Sequence, residues 1–305
     1  MPSSVLARIN TFMLALLVLM AVSIIAFLAH GAIGGPLDPP GTPGPTLPQA
    51  EKRNPIPPVG WNGSFPIVLD QGSYYLTQNL IEPFGSQPAI DIQGSNVSLD
   101  LNGFFVRGIS TPHPGIMSTT GASRVTIENG TVEGWQDGIN LSNVDNVHVQ
   151  NVTAWNNSGN GLWLGPASIA SHVVVSLNGG NGIRIDGSAS LEGGIIEDST
   201  VTKNGGGIDV VANDVSVSHT VVSLSASNIV QIGGSGVTFT DNTVTGTGSG
   251  TCITVGGSTN TIARNIISGC VVAIQNNGFS NGIGPATSDL SSTQPWSNVE
   301  YSSIQ

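Results

Sequence analysis

The chain has 305 residues, 41 of them glycine, only 9% charged and with a mean hydropathy of +0.16; this excludes a helical bundle and a disordered chain alike. Net charge is −11, from 19 acidic residues against eight Lys plus Arg. No cationic cluster forms, so a nucleic-acid partner is excluded. No cofactor is expected, with Ca2+ alone left open as a ligand of an acidic wall.

The chain starts with an export signal. Arg8 precedes Thr11–Ala29, an apolar run without a charge. At ~1.5 Å per residue the run is just long enough to span a bilayer of ~30 Å. Residues 1–33 therefore read either as a signal anchor, membrane-bound through residues 11–29, or as a signal peptide cleaved after Gly31 or Ala32. Both readings place the rest outside the cytoplasm. Residues 34–60 carry nine prolines and read as a stiff linker that cannot join a sheet. Residues 61–87 are expected to form an N-terminal cap, burying Trp61, Phe65, Tyr74 or Tyr75.

From residue 88 to 277 the chain repeats itself. A small residue before an apolar–X–apolar triplet recurs, as in Gly138-Ile139-Asn140-Leu141, Gly161-Leu162-Trp163-Leu164 and Gly182-Ile183-Arg184-Ile185. Eight steps cover the 184 residues from Ile90 to Ile274, a mean period of 23. Each period holds two further short runs, such as Val147-His148-Val149 followed by Thr153-Ala154, which alternate at the strand period of two. Three strands per period, broken by Gly/Asn bends, predict an all-β right-handed parallel β-helix of about nine coils. Stacked at ~4.8 Å, nine coils make a rod of roughly 40 Å. A lone coil buries too little apolar surface to fold, so the coils must stack Ile on Ile and Val on Val. Asn129, Asn151 and Asp198 fall in one column, with Asn242 and Asn265 one position later, and predict a structural amide ladder. Leucine-rich repeats would need another signature, and an antiparallel sandwich would not hold a 23-residue register. Residues 278–305, with Phe279, Trp296 and Tyr301, are expected to fold over the last coil, because an open end is an unpaired edge.

Gln71–Leu80, Asn96–Phe104 and the tail Pro295-Trp296-Ser297-Asn298 resemble the corresponding parts of bacterial right-handed parallel β-helix repeat proteins with the pectin-lyase-like fold. The resemblance runs from about Gly72 to the C-terminus and implies the fold. It also brings polysaccharide lyases and glycoside hydrolases into view, because relatives with this fold cleave polysaccharides. The Asp-Asp, Asn-Thr-Asp, Gly-His-Gly and Arg-Ile-Lys motifs of polygalacturonases are absent.

In each first strand, the residue between the two apolar positions points outward. That file reads Asp91, Met117, Asn140, Trp163, Arg184, Asp209, Val230, Thr254 and Gln275. Asn140, Trp163, Arg184 and Asp209 thus form a candidate ligand-binding strip, an aromatic plane beside a guanidinium and carboxylates, the side chains that grip sugars. Arg184, Asp186 and Asp209 are the only candidates for catalysis; an Arg184–Asp209 ion pair is the simpler reading. His148, His172 and His219 lie on different coils and predict no metal site. Cys252 should stack on Ala273, leaving Cys270 about 10 Å along the next coil at ~3.3 Å per residue, so two separate thiols are expected. The leading functional expectation is an exported, non-catalytic wall that binds carbohydrate or another cell-envelope component. An atypical polysaccharide lyase or glycoside hydrolase and a structural spacer or filament element are the alternatives.

Overall fold

The computed structural model describes residues 53–82, 86–109, 112–187, 192–223, 225, 229–284, 286–287 and 298–301. The apolar run, most of the proline-rich linker and Trp296 lie outside these. Among the described residues, no helix is long and apolar enough to cross a membrane. The described elements are strands, and they wind into a right-handed parallel β-helix.

The first face is a sheet of ten parallel strands running from Ile67–Leu69 and Ile90–Ile92 to Val272–Asn276. The second and third faces share one larger sheet, because strands such as Ser123–Glu133 and Asp145–Trp155 run on through the bend between them. Ile139 pairs with Leu162, Leu162 with Ile183 and Ile183 with Ile208, and all four are fully or almost fully buried. This continuous interior file follows from β-branched and leucine side chains at the inward positions of every coil.

Four expectations need correction. There are about ten coils rather than nine, because Ile67–Leu69 pairs with Ile90–Ile92 and Gly72–Leu76 with the strand Val97–Asp100. Residues 61–82 therefore build a coil of their own, and Trp61 and Phe65 meet edge-to-face, each half-buried against the core. The proline-rich stretch also ends early: Asn54–Ile56 pairs with Tyr74–Leu76 and buries Ile56. Among the described residues this strand pairs on one side only, a position at which Pro55, with no N–H to donate, is tolerated. In the seventh repeat the register is one residue later than read: Asp209 pairs with Gln231, not Val230, and Val230 is buried. Ile229 and Val230 are adjacent apolar residues, and Ile232 lies just beyond Gln231, so alternation could not distinguish the two registers. At the C-terminal end Phe279 is 81% exposed rather than buried, while Asn298–Tyr301 pairs in parallel with Ile266–Ser268.

The bends hold left-handed residues in register. Asn129, Asn151, His172, Asp198, His219 and Asp241 all have φ between 49° and 61° and stand at the corner between the second and third faces. Asparagine and aspartate accept this conformation at low cost. One position further on, Asn242 donates from its backbone and its side-chain amide to the Oδ1 of Asn265, making a buried ladder. A second buried ladder, Asn157–Asn178–Asn204, runs up the corner after the third face. It explains the small residue ahead of each first strand: a Cβ on Gly161 would come within 2.8 Å of the Asn178 amide, and one on Gly182 equally close to that of Asn204.

Candidate functional site

The predicted strip lies on the first face. Asn140, Trp163, Arg184, Asp209 and Gln231 pair in consecutive register, one per coil. Trp163, Arg184, Asp186 and Asp209 form one network. The Arg184 guanidinium lies 5.2 Å from the centroid of a Trp163 ring and donates to Asp186 at 2.8 Å and to Asp209 at 3.1 Å. The Trp163 Nε1 donates to Asp186 Oδ2 at 2.7 Å, which fixes the indole plane against the wall. Asn181 adds a longer bond to Asp209 at 3.4 Å.

Asn140 does not join them. Its side-chain amide donates to Asp137 at 2.8 Å, and its carbonyl accepts from the Ser142 hydroxyl. Asp91, at the head of the file, is buried and occupied by Gln93 and Thr119. The strip is thus a four-residue platform extended by Asn181, a residue that carries no outward apolar–X–apolar signal.

Burial pushes the Asp209 carboxyl above the usual carboxylate range; the Arg184 charge opposes this and the Asp186 charge adds to it. Desolvation dominates because a single guanidinium is divided between two carboxylates.

The third face carries a feature that the repeat pattern did not single out. Arg107, Glu133 and Trp155 fall in one outward file and, with Gly108, Gly134 and Asn156, line a hollow of about 290 Å3. Trp155 ends the strand Asp145–Trp155, and its place directly after the Thr153-Ala154 run, outward by alternation, was the available signal.

The histidines stay apart. His172 sits 3.9 Å from Asp198, and His148 is 3.4 Å from the Ser171 hydroxyl. Among the described residues no group of three His, Cys, Asp or Glu converges as a metal site would require.

The expectation of two separate thiols is overturned: Cys252 and Cys270 form a disulfide with a Cα–Cα distance of 5.7 Å. Cys252 does stack on Ala273, as its neighbours Thr251 and Ile253 pair with Val272 and Ile274. Cys270 and Val271 lie outside that strand, however, which begins only at Val272. The chain turns at Gly269, where φ is +69°, and the corner folds Cys270 back over Cys252.

Residues 67–219, half of the chain, match the profile of the right handed beta helix region. The chain belongs to this right-handed β-helix family. Among solved structures it is similar to the Dettilon tailspike protein (gp208), at 15% identity and a TM-score of 0.49, over 78% of this chain and 60% of the tailspike chain. The chain therefore spans less than two thirds of that protein's length. No curated protein matches.

Proposed function

We propose that this β-helix binds carbohydrate, or another polymer of the cell envelope, through its outer wall and without catalysis. The observation that carries the reading is the fixed Trp163 indole, held by Asp186 and covered on one side by Arg184. A sugar ring can lay its C–H face on such an indole while the carboxylates and guanidinium take its hydroxyls. Holding the platform in place before binding reduces the side-chain entropy that binding must overcome. Work outside the cytoplasm fits two features: the apolar run Thr11–Ala29 after Arg8, and a disulfide, a bond that persists in oxidising compartments. Whether residues 11–29 remain as a membrane anchor belongs to the same reading.

A glycan array probed with the full chain and with Trp163→Ala tests it. Loss of about tenfold or more in affinity on removing the indole supports the reading. Retention of no glycan by the natural chain sinks it.

A polysaccharide hydrolase is the second reading, favoured by one observation: Asp186 and Asp209 share the Arg184 guanidinium, and burial raises the carboxyl of Asp209. Release of reducing ends that disappears in Asp209→Asn would establish it and displace the non-catalytic reading.

A further inference from the structure

The hollow on the third face lies apart from the Trp163 strip. Parallel pairing places Arg107 beside Glu133, and Glu133 beside Trp155, with all three side chains pointing outward. The Arg107 guanidinium stacks 4.3 Å from the Phe105 ring centroid, and its Nε donates to the Glu133 carboxylate. Glu133 is 7% exposed, whereas Trp155, the next residue along the file, is 38% exposed. The buried Glu133 carboxylate at the base of the hollow and the half-exposed Arg107 guanidinium and Trp155 indole at its rim therefore face the same space.

Glycine makes that space. At the corner after the third face, later coils carry Asn156, Leu177 and Lys203 in left-handed conformation, where this coil has Gly134 at φ +76°. A Cβ on Gly134 would lie 2.3 Å from the Gly108 carbonyl oxygen. The two coils approach one another there as no other residue would allow, and no side chain rises from either glycine to fill the hollow.

We infer that the Arg107–Glu133–Trp155 hollow binds one pyranose ring of a neutral polysaccharide. The ring's C–H face lies on the Trp155 indole, and its hydroxyls meet acceptors on Glu133 and donors on Arg107 and Asn156. Charge selects a neutral sugar: a uronate would meet the Glu133 carboxylate, an amino sugar cation would meet Arg107, and the ion pair itself has no net charge. A volume of about 290 Å3 is at the small end for ligand sites and suits one ring rather than a folded oligomer. Beyond Trp155 the same file continues as Ser176, Thr202 and Ser223, with the Ser223 hydroxyl donating to Thr202 at 3.0 Å. These uncharged hydroxyls offer the next sugars of a chain a polar track. The site shares no residue with the Trp163 strip and stands on a different face, so it goes beyond the function proposed above.

Calorimetric titration of the full chain with hexaoses of glucose, mannose, xylose and N-acetylglucosamine, and with oligogalacturonate, tests the inference. The expected result is binding of at least one neutral hexaose that survives in Trp163→Ala. That binding should weaken about tenfold in Trp155→Ala and recover in part in Trp155→Phe. Thermal unfolding of each variant confirms that the fold is retained. Unchanged affinity in Trp155→Ala, preference for the uronate, or no neutral hexaose bound would each overturn the inference. Loss in Trp163→Ala with Trp155→Ala unaffected would overturn it while leaving the first-face strip standing.

Discussion

Asn178 accepts two hydrogen bonds from Asn157, from its backbone N–H at 3.0 Å and its side-chain amide at 2.9 Å, on a single carbonyl oxygen. Its own amide passes the pattern on to Ala154 and to Asn204. Each member is about 2% exposed, so water cannot replace a lost partner. Asn178→Ala strands donors and acceptors on two neighbouring coils and is expected to cost roughly 3 kcal/mol. Urea denaturation reads this directly, and an unchanged midpoint would show that the ladder contributes nothing.

Gly161 sits where that ladder leaves no room. An added Cβ would lie 2.3 Å from Val175 Cγ1 and 2.8 Å from both the Asn178 amide and the Gly182 carbonyl oxygen. Gly161→Ala should destabilise by about 1–3 kcal/mol through overpacking. The control is Gly103→Ala, which meets nothing within 4 Å but carries a φ of +79°. If the two cost the same, backbone strain rather than crowding governs both.

The Cys252–Cys270 bridge ties the first strand of a coil to that coil's last corner, 18 residues later. Closing a loop of that size is worth about 3 kcal/mol in the chain-entropy account. Replacing both cysteines by serine should therefore lower the melting temperature, with the C-terminal coils the first to exchange amide hydrogens. Two alkylatable thiols in the native, unreduced protein would refute the bridge.

Asp209 sets a pH dependence. Its folded-state pKa lies above the ordinary value of 3.8, with burial the main cause, so the folded chain holds this proton more tightly than the unfolded one. Its contribution to stability is full below the unfolded carboxylate range and is lost as pH rises through the folded value. Asp209→Asn abolishes that loss. The stability of the variant relative to the natural chain should therefore increase as pH rises from the ordinary carboxylate range through the folded value of Asp209. A flat difference across that window would mean that Arg184 fully compensates for burial.

Asp241 has the opposite sign. A hydrogen bond from Arg264 holds its carboxyl below the usual range, so its contribution is present above the unfolded value and lost as pH falls through the folded one. Both partners are substantially exposed, and the pair is worth well under about 1 kcal/mol. Arg264→Ala is expected to leave the neutral-pH melting curve nearly unchanged, which a thermal scan would check.

Reading the period of 23 and the inward file required only alternation and burial. Strand side chains change face at every residue, so Ile139, Leu162, Ile183 and Ile208 identify themselves as interior, and Trp163, Arg184 and Asp209 as wall. The same logic failed at Ile229–Val230, where consecutive apolar residues give alternation nothing to distinguish. It also passed over Asn157, Asn178 and Asn204, which look like ordinary polar bend residues until the corner buries them.

The sequence by itself thus determined the coil and, outside Ile229–Val230, which first-strand side chains face in. Tertiary structure alone decided what meets at the corners: the Cys252–Cys270 bond, the second asparagine ladder and the hollow between Arg107 and Trp155. Strand geometry converts residue number into distance at a constant rate. A left-handed bend of one or two residues does not, and its angle is set by packing against the coils above and below.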